Sequence, residues 1–503
     1  MNLARERVSF SRRTAPPRLR VSWGSYATLY ILLAAILLAT HAPLLNLPYY
    51  WDEAGQFIPA ALDIFHHAQW IPHSTVPNSH PPGVMAYLAA VWRVFGYSIV
   101  ATRVAMLLFA AFGAAVAFLL AIELSRGSPG APAFAAIAML CVSPLFVSQS
   151  MLAQLDMPAM CFTCLALLLF LQNRFRDSAI ACAVLVLVKE TGIIVPAVFG
   201  CWLLAERSVR RALWYLLPLP VLAIWLVALH HATGHWLGNS AFTQYNLLEN
   251  LNPVRFLLAL ARRFYYLFIS TGHIIGTAAV LYAFRRMPIL QDRPWRLAAT
   301  LVAAQLVLVS LLGGAVLERY LLPVLPIVYA AFALSLRSLT RNWRIAGLSA
   351  LLVCLIAANF VNPPYPFPFE NNLEFVSFVN LEQQAAAAAE LQPGEIGTTF
   401  PLSNALRHPE YGFVSRQLRV REMADFRQED VMRLRDNPPS AIIVFDPTKD
   451  PFHLLETDWI WNLMTRYYGY EPRMNADEIA GALSMHVAEQ WQSRGLTMSL
   501  ITR

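Results

Sequence analysis

Val84-Met-Ala-Tyr-Leu-Ala-Ala-Val-Trp-Arg-Val-Phe95 is the stretch on which the topology turns. It is apolar, yet a run of about a dozen residues cannot cross roughly 30 Å of hydrocarbon at about 1.5 Å of rise per residue. Arg93 also lies inside it. Pro81 and Pro82 stand at its start, where prolines suit a helix's first turn. The pattern predicts a helix lying along the outer membrane surface. With this helix outside, Thr102–Leu124 crosses inward and Arg126 is cytoplasmic. The later arginine pairs Arg174/Arg176, Arg210/Arg211, Arg285/Arg286 and Arg341/Arg344 then fall on that same side. Counted as a span, it would put those arginines outside, against the positive-inside rule.

Apolar runs long enough to matter recur from about Tyr26 to Phe360 and then stop. Hydrophobic residues make up 57% of the chain and charged residues 14%, well below the roughly 25% charged of soluble domains. A polytopic α-helical membrane protein with about 11 transmembrane helices follows. The first span starts after a cytoplasmic basic N-terminus, 1–24. It has the outline of a secretory signal but is read as an uncleaved helix, because cleavage near Ala42 would free the loop behind it. The membrane domain is expected over 25–361, with an external loop at 46–101. The Pro-rich run Asn362–Phe369 is a stiff linker into an extracytoplasmic α/β domain, 362–503. In that domain, helices are expected over Leu381–Leu391 and Gln428–Asp436, and strands over Glu395–Phe400 and Ser440–Phe445, the last bounded by Asp446-Pro447. The net charge of +7 comes from these sided arginines, so no nucleic-acid partner is implied. The six cysteines all lie in apolar segments, and neither a disulfide framework nor a metal site at Cys161-x-x-Cys164 is expected.

The chemistry gathers on the outer face. Leu47-Pro-Tyr-Tyr-Trp-Asp-Glu-Ala-Gly-Gln-Phe57 places Asp52 and Glu53 just past the first span, behind aromatics that favour the headgroup level. Asn78-Ser-His-Pro-Pro-Gly83 brings His80 to the same side. Gln154-Leu-Asp-Met-Pro158 adds Asp156, either a helix cap or a second external carboxylate. Lys189, one of two lysines in the chain, is either a snorkelling or ion-paired side chain or a cation for a phosphate. Arg319, in Leu317-Glu-Arg-Tyr-Leu-Leu-Pro323, has the same two readings, and Arg103 stands at the outer end of its span. Two carboxylates with several cations at one face suit transfer from a lipid-linked phosphate, a carboxylate taking the acceptor's proton and cations holding the phosphate. A zinc site among His66, His67, His73, His230, His231 and His235 is possible, but no spacing commits to one.

These motifs, in this order and with this sidedness, resemble the GT-C glycosyltransferases. The nearest subgroup is the bacterial relatives of protein O-mannosyltransferases and lipid A aminoarabinose transferase. The resemblance covers roughly residues 20–340 and implies an inverting transfer from a sugar on a polyprenyl phosphate, at the outer face of the cytoplasmic membrane. It implies Asp52 as general base, Asp156 as a second acid orienting base or acceptor, and Glu53 as support for the loop. Lys189 and Arg319 would hold the donor phosphate, with His80 and Arg103 lining the site. No cofactor is expected. A divalent metal between the acids is possible, as in some GT-C members, but is not favoured. Membrane lipids surround the protein, and the acceptor is a lipid, glycan or protein. The C-terminal domain is not the repeat domain of eukaryotic mannosyltransferases, which puts a protein acceptor in doubt. The rivals are a transporter or flippase for a lipid-linked sugar, which should show inverted repeats and charges near the midplane, and a non-catalytic relative in a glycan assembly complex.

Overall fold

The computed structural model describes residues 23–125, 131–312, 314–446, 450 and 452–503. Most of the basic N-terminus, Arg126 and Pro447 fall outside the described residues. Helices dominate up to Ala357, and a mixed sheet follows.

The stretch Gly83–Phe95 is a helix of 13 residues. Val84, Met85, Leu88, Ala89 and Trp92 form its buried stripe, while Val94 and Phe95 are exposed, the one-sided pattern that an interfacial helix requires. Trp92 Nε1 donates to Thr102 Oγ1 at 3.0 Å, which ties this short helix to Ile99–Leu124. Gly83 allows close approach: a Cβ there would lie 2.4 Å from the Leu187 carbonyl oxygen.

Five of the described helices are long and apolar enough to cross a membrane, or six if one bent pair counts as a single span. Several expected spans are shorter or broken. Ala131–Phe146, expected whole, is two helices, Ala131–Val142 and Pro144–Gln149. Phe264–Phe284 is split between Pro253–Phe268 and a helix starting at His273, the axes bent by 43°. The break is at Thr271 (φ 52°) and Gly272 (φ 83°), left-handed conformations that no α-helix continues through. Leu321–Leu336 begins as a 3-10 turn, Glu318–Val324, because Pro323 cannot supply the amide of a regular helix. Asp156–Leu171 is the central helix, buried along nearly its whole length, and packs on Ile99–Leu124 and Phe175–Val188.

The C-terminal sheet contains β1 (Glu395–Thr398), β2 (Arg419–Glu422), β3 (Ala441–Phe445), β4 (His486–Ser493) and β5 (Leu496–Thr502). Their order is β2-β1-β3-β5-β4. β1 runs parallel to β2 and β3, and β5 runs antiparallel to β3 and β4. All five residues of β3 are buried, as a central strand covered on both faces demands. The helix expected over Leu381–Leu391 starts earlier, at Glu374, and the β4–β5 hairpin was not anticipated. This part of the chain rests on the loop after the first helix: Tyr50 packs on Phe375 and Phe378, and Trp51 on Phe378 and Phe400. Tyr49 N donates to the Tyr411 carbonyl at 3.2 Å. The loop, the acids it carries and the C-terminal domain therefore share one face of the molecule.

Candidate active site

Asp52 and Glu53 are adjacent in sequence but do different work. Trp51 takes φ 42°, and the chain turns there so that Glu53 enters the interior while Asp52 stays at a cavity edge. Glu53 and Arg103 pair with both side chains at 0% exposure. Arg103 also donates to the carbonyls of Met151 at 3.1 Å, Leu47 at 3.2 Å and Pro48 at 3.0 Å. Glu53 accepts from Tyr50 N at 2.9 Å and Ala153 N at 2.6 Å. A buried ion pair survives only when such bonds satisfy its remaining donors and acceptors. This one pins the loop after the first helix to the segment before Asp156, and so sets where Asp52 and Asp156 stand. Arg103, expected to line a phosphate site, is therefore corrected to a buried clamp: its charge is neutralised and its terminal nitrogens are occupied.

Asp156 lies in the first turn of its helix, where Leu155 is the N-cap and no side-chain cap bond forms. Its carboxylate instead takes Lys189 Nζ at 2.6 Å and lies 3.4 Å from Arg319 Nε, which removes the simple capping reading. Lys189 is only 9% exposed and does not snorkel. Its Nζ stands 4.1 Å from the ring centroid of Tyr320, a cation–π contact. Glu190, its expected ion-pair alternative, accepts from His80 Nδ1 at 2.9 Å.

Arg319 is the centre of the cluster. One terminal nitrogen pairs with Asp52 Oδ2, the other lies 2.9 Å from Glu370 Oε1, and the side chain is 5% exposed. Glu370 was missed in the sequence because it follows a proline-rich run read as a linker. The turn Phe369–Asn371 carries it in, and Asn371 Nδ2 donates to Glu318 Oε2 at 2.7 Å, locking that turn beside Arg319. Burial pushes the Glu370 carboxyl up to about 7, with Asp52 and Asp156 adding to the rise and Arg319 opposing it.

Arg263 was missed too, as one of a pair of arginines at the edge of an expected span. It is 0% exposed, and none of its three guanidinium nitrogens has a hydrogen-bond partner among the described residues. Its Cζ is 6.0 Å from the Tyr320 ring centroid, against 5.6 Å for Arg319. Three cations thus surround one ring, and an unpaired buried cation is costly unless an anion joins it.

A cavity of about 830 Å³ is lined by Asp52, Gln56, His80, Arg319 and Glu370, with Trp51, Phe242, Tyr245 and Phe400 as aromatic walls. Next to it lies a largely apolar cavity of about 250 Å³, lined by His80, Lys189, Leu237, Leu247, Leu312 and Tyr320. His80, Phe242, Asn246 and Tyr320 border both. Of the seven residues singled out from the sequence, five therefore converge and two, Glu53 and Arg103, lie beneath them. Among the described residues no three His, Cys, Asp or Glu side chains are placed to hold a metal ion. His66 and His67 are exposed, and His230 stacks on Trp236 at 4.3 Å.

The chain as a whole is similar to known proteins. Residues 79–236 match the dolichyl-phosphate-mannose-protein mannosyltransferase family. The crystal structure of ArnT from Cupriavidus metallidurans bound to undecaprenyl phosphate aligns over 95% of this chain and 98% of its own, at 14% identity and a TM-score of 0.56. Its apo state aligns over the same shares at 14% identity and 0.54. The Archaeoglobus fulgidus oligosaccharyltransferase complexed with zinc and sulfate aligns over 94% of this chain and 72% of its own, at 12% identity and 0.49. No curated protein matches the chain in sequence. The fold is like that of the GT-C membrane glycosyltransferases. This chain has their multi-pass architecture and resembles, in particular, the mannosyltransferase and ArnT branches.

Proposed function

We propose that the protein transfers a sugar from a polyprenyl-phosphate carrier to the hydroxyl of a lipid, glycan or protein acceptor at the external face of the cytoplasmic membrane, with Asp52 as general base. The observation that carries this reading is the pair of joined cavities. The roomy polar one has Asp52 at its edge, and the apolar one has Lys189 and Tyr320 in its wall. An isoprenyl chain suits the second, its phosphate near Lys189 and Arg263, and a sugar and acceptor suit the first.

In this mechanism the acceptor oxygen attacks the anomeric carbon as its bond to the phosphate oxygen breaks, with inversion. The acceptor's proton passes to Asp52, and the electron pair stays on the carrier phosphate, where the cations around Tyr320 stabilise it. Asp52 is paired with Arg319, which engages its Oδ2. An arriving phosphate draws Arg319 away and frees the carboxylate. Asp156 holds Lys189 and steadies Arg319, and His80 orients on Glu190 at the boundary of the cavities. The carboxylates here are neutralised by guanidinium and ammonium groups, which supports a metal-independent reaction.

The test is release of polyprenyl phosphate by purified protein supplied with a panel of polyprenyl-phosphate sugars and membrane extract. Loss of general-base help in Asp52→Asn should slow release by about 10²–10⁴-fold. Equal release by both proteins would move the base elsewhere.

A further inference from the structure

Glu370 is a buried carboxylate that the reaction above does not use, brought to Arg319 by the C-terminal part of the chain. We propose that Glu370 is a positioning residue for the donor phosphate: it holds Arg319 before the phosphate binds, and it takes up a proton when the phosphate arrives and claims that guanidinium. The inference rests on the polyprenyl-phosphate reading and goes beyond it by adding a proton to the binding step.

The geometry supplies the reason. Arg319 faces three carboxylates, Asp52, Asp156 and Glu370. Asp156 has Lys189 as a second cation, and Asp52 lies at the more open edge, with 16% of its side chain exposed. Glu370 has neither advantage. Its Oε1 has no aligned hydrogen bond, and its side chain is 5% exposed. A phosphate anion drawn to Arg319 removes the charge that keeps Glu370 ionised and adds a like charge near it. Both changes favour the neutral acid.

Among the described residues, the elements packed on the Glu370 turn offer no unpaired substitute cation. Helix Pro144–Gln149, packed against the Glu370 turn, bears no charged side chain. Helix Glu374–Glu390, also packed there, contributes Glu374 and Glu382, and Glu374 is paired with Arg494 at 3.0 Å. From the Glu318–Val324 turn, Glu318 is held by Arg262 at 2.7 Å. The carboxyl already sits at about 7, so a modest further rise makes proton uptake complete in the range where binding is measured.

Linkage fixes the sign: a ligand that raises a group's pKa takes up protons, and its affinity falls as pH rises above the free-site value. The probe is a short-chain isoprenyl methyl phosphodiester, which carries one charge throughout, titrated calorimetrically into the full-length protein in buffers of different ionisation enthalpy. The wild type should take up nearly one proton at pH 8 and bind about tenfold more weakly there than at pH 6. Glu370→Gln, fixed in the neutral form, should bind with little pH dependence and match the wild type at pH 6. Glu370→Asp, which keeps a titrating acid, should keep the slope, separating proton uptake from packing. Wild-type binding without proton uptake, or a slope that survives in Glu370→Gln, overturns the role of Glu370 and leaves the phosphate site standing. Absence of binding at any pH overturns both.

Discussion

Two neighbouring carboxylates show how much a single residue's setting decides. Glu53 is sealed against Arg103, the pair bonded to five backbone groups of two separate segments, while Asp52 faces a cavity. Their substitutions should therefore separate. Asp52→Asn removes activity and leaves folding nearly intact. Arg103→Met strands a buried carboxylate, and breaking a buried pair in this way costs about 3–5 kcal/mol. Thermal unfolding in detergent should show a large drop for Arg103→Met and a smaller one for the double variant Glu53→Gln/Arg103→Met, where no charge is left unpaired. Equal drops would mean that the pair does not act as a clamp. The same contrast explains which residues were legible beforehand. Asp52, Asp156, Lys189 and Arg319 stand out as charges beside apolar runs, where ionised groups are expensive. Glu370 and Arg263 do not, because one sits in a linker and the other beside a second arginine.

At the scale of elements, the short helix Gly83–Phe95 carries His80 at its approach and docks on the end of helix Phe175–Val188. Its glycine stands where a Cβ would meet the Leu187 carbonyl oxygen at 2.4 Å and Val188 N at 3.3 Å. Backbone cannot yield as a side-chain tip can, so Gly83→Ala must push the helix off its neighbour. Helix Phe175–Val188 leads directly into Lys189, so the displacement lands on Lys189 and on the His80–Glu190 contact. Gly83→Ala should lower both the melting temperature and the transfer rate, whereas Ala90→Ser, on the exposed face of the same helix, should change neither. Elements were read well wherever hydropathy and charge marked them. The kink at Thr271–Gly272 and the 3-10 turn at Glu318 escaped, since both depend on backbone conformations that an apolar run does not advertise.

For the whole molecule, the proposed orientation places the acids, the joined cavities and the C-terminal sheet on the outer side, with the arginine-rich loops in the cytoplasm. Single cysteines read this directly. In a background lacking the native cysteines, Ser415→Cys, in the exposed part of the C-terminal domain, should react with a membrane-impermeant maleimide in cells whose cytoplasmic membrane is intact. Glu206→Cys, in an exposed loop on the opposite side of the proposed topology, should react only after lysis. The reverse pattern would invert the topology and remove the donor from the proposed face.

The sequence alone determined the multi-pass helical membrane architecture and marked Asp52, Asp156, Lys189 and Arg319 as charges beside apolar runs. Length, hydropathy and charge act locally, so a linear reading captures them. It could also assemble the motifs whose order resembles the GT-C enzymes. Only the tertiary structure decided which carboxylate faces the cavity and which is a clamp, that Tyr320 gathers three cations, and that a residue from beyond the last helix completes the Arg319 cluster. Those outcomes depend on contacts between segments tens to hundreds of residues apart. Burial and pairing, which set what an ionised group can do, are properties of that packing and not of the chain.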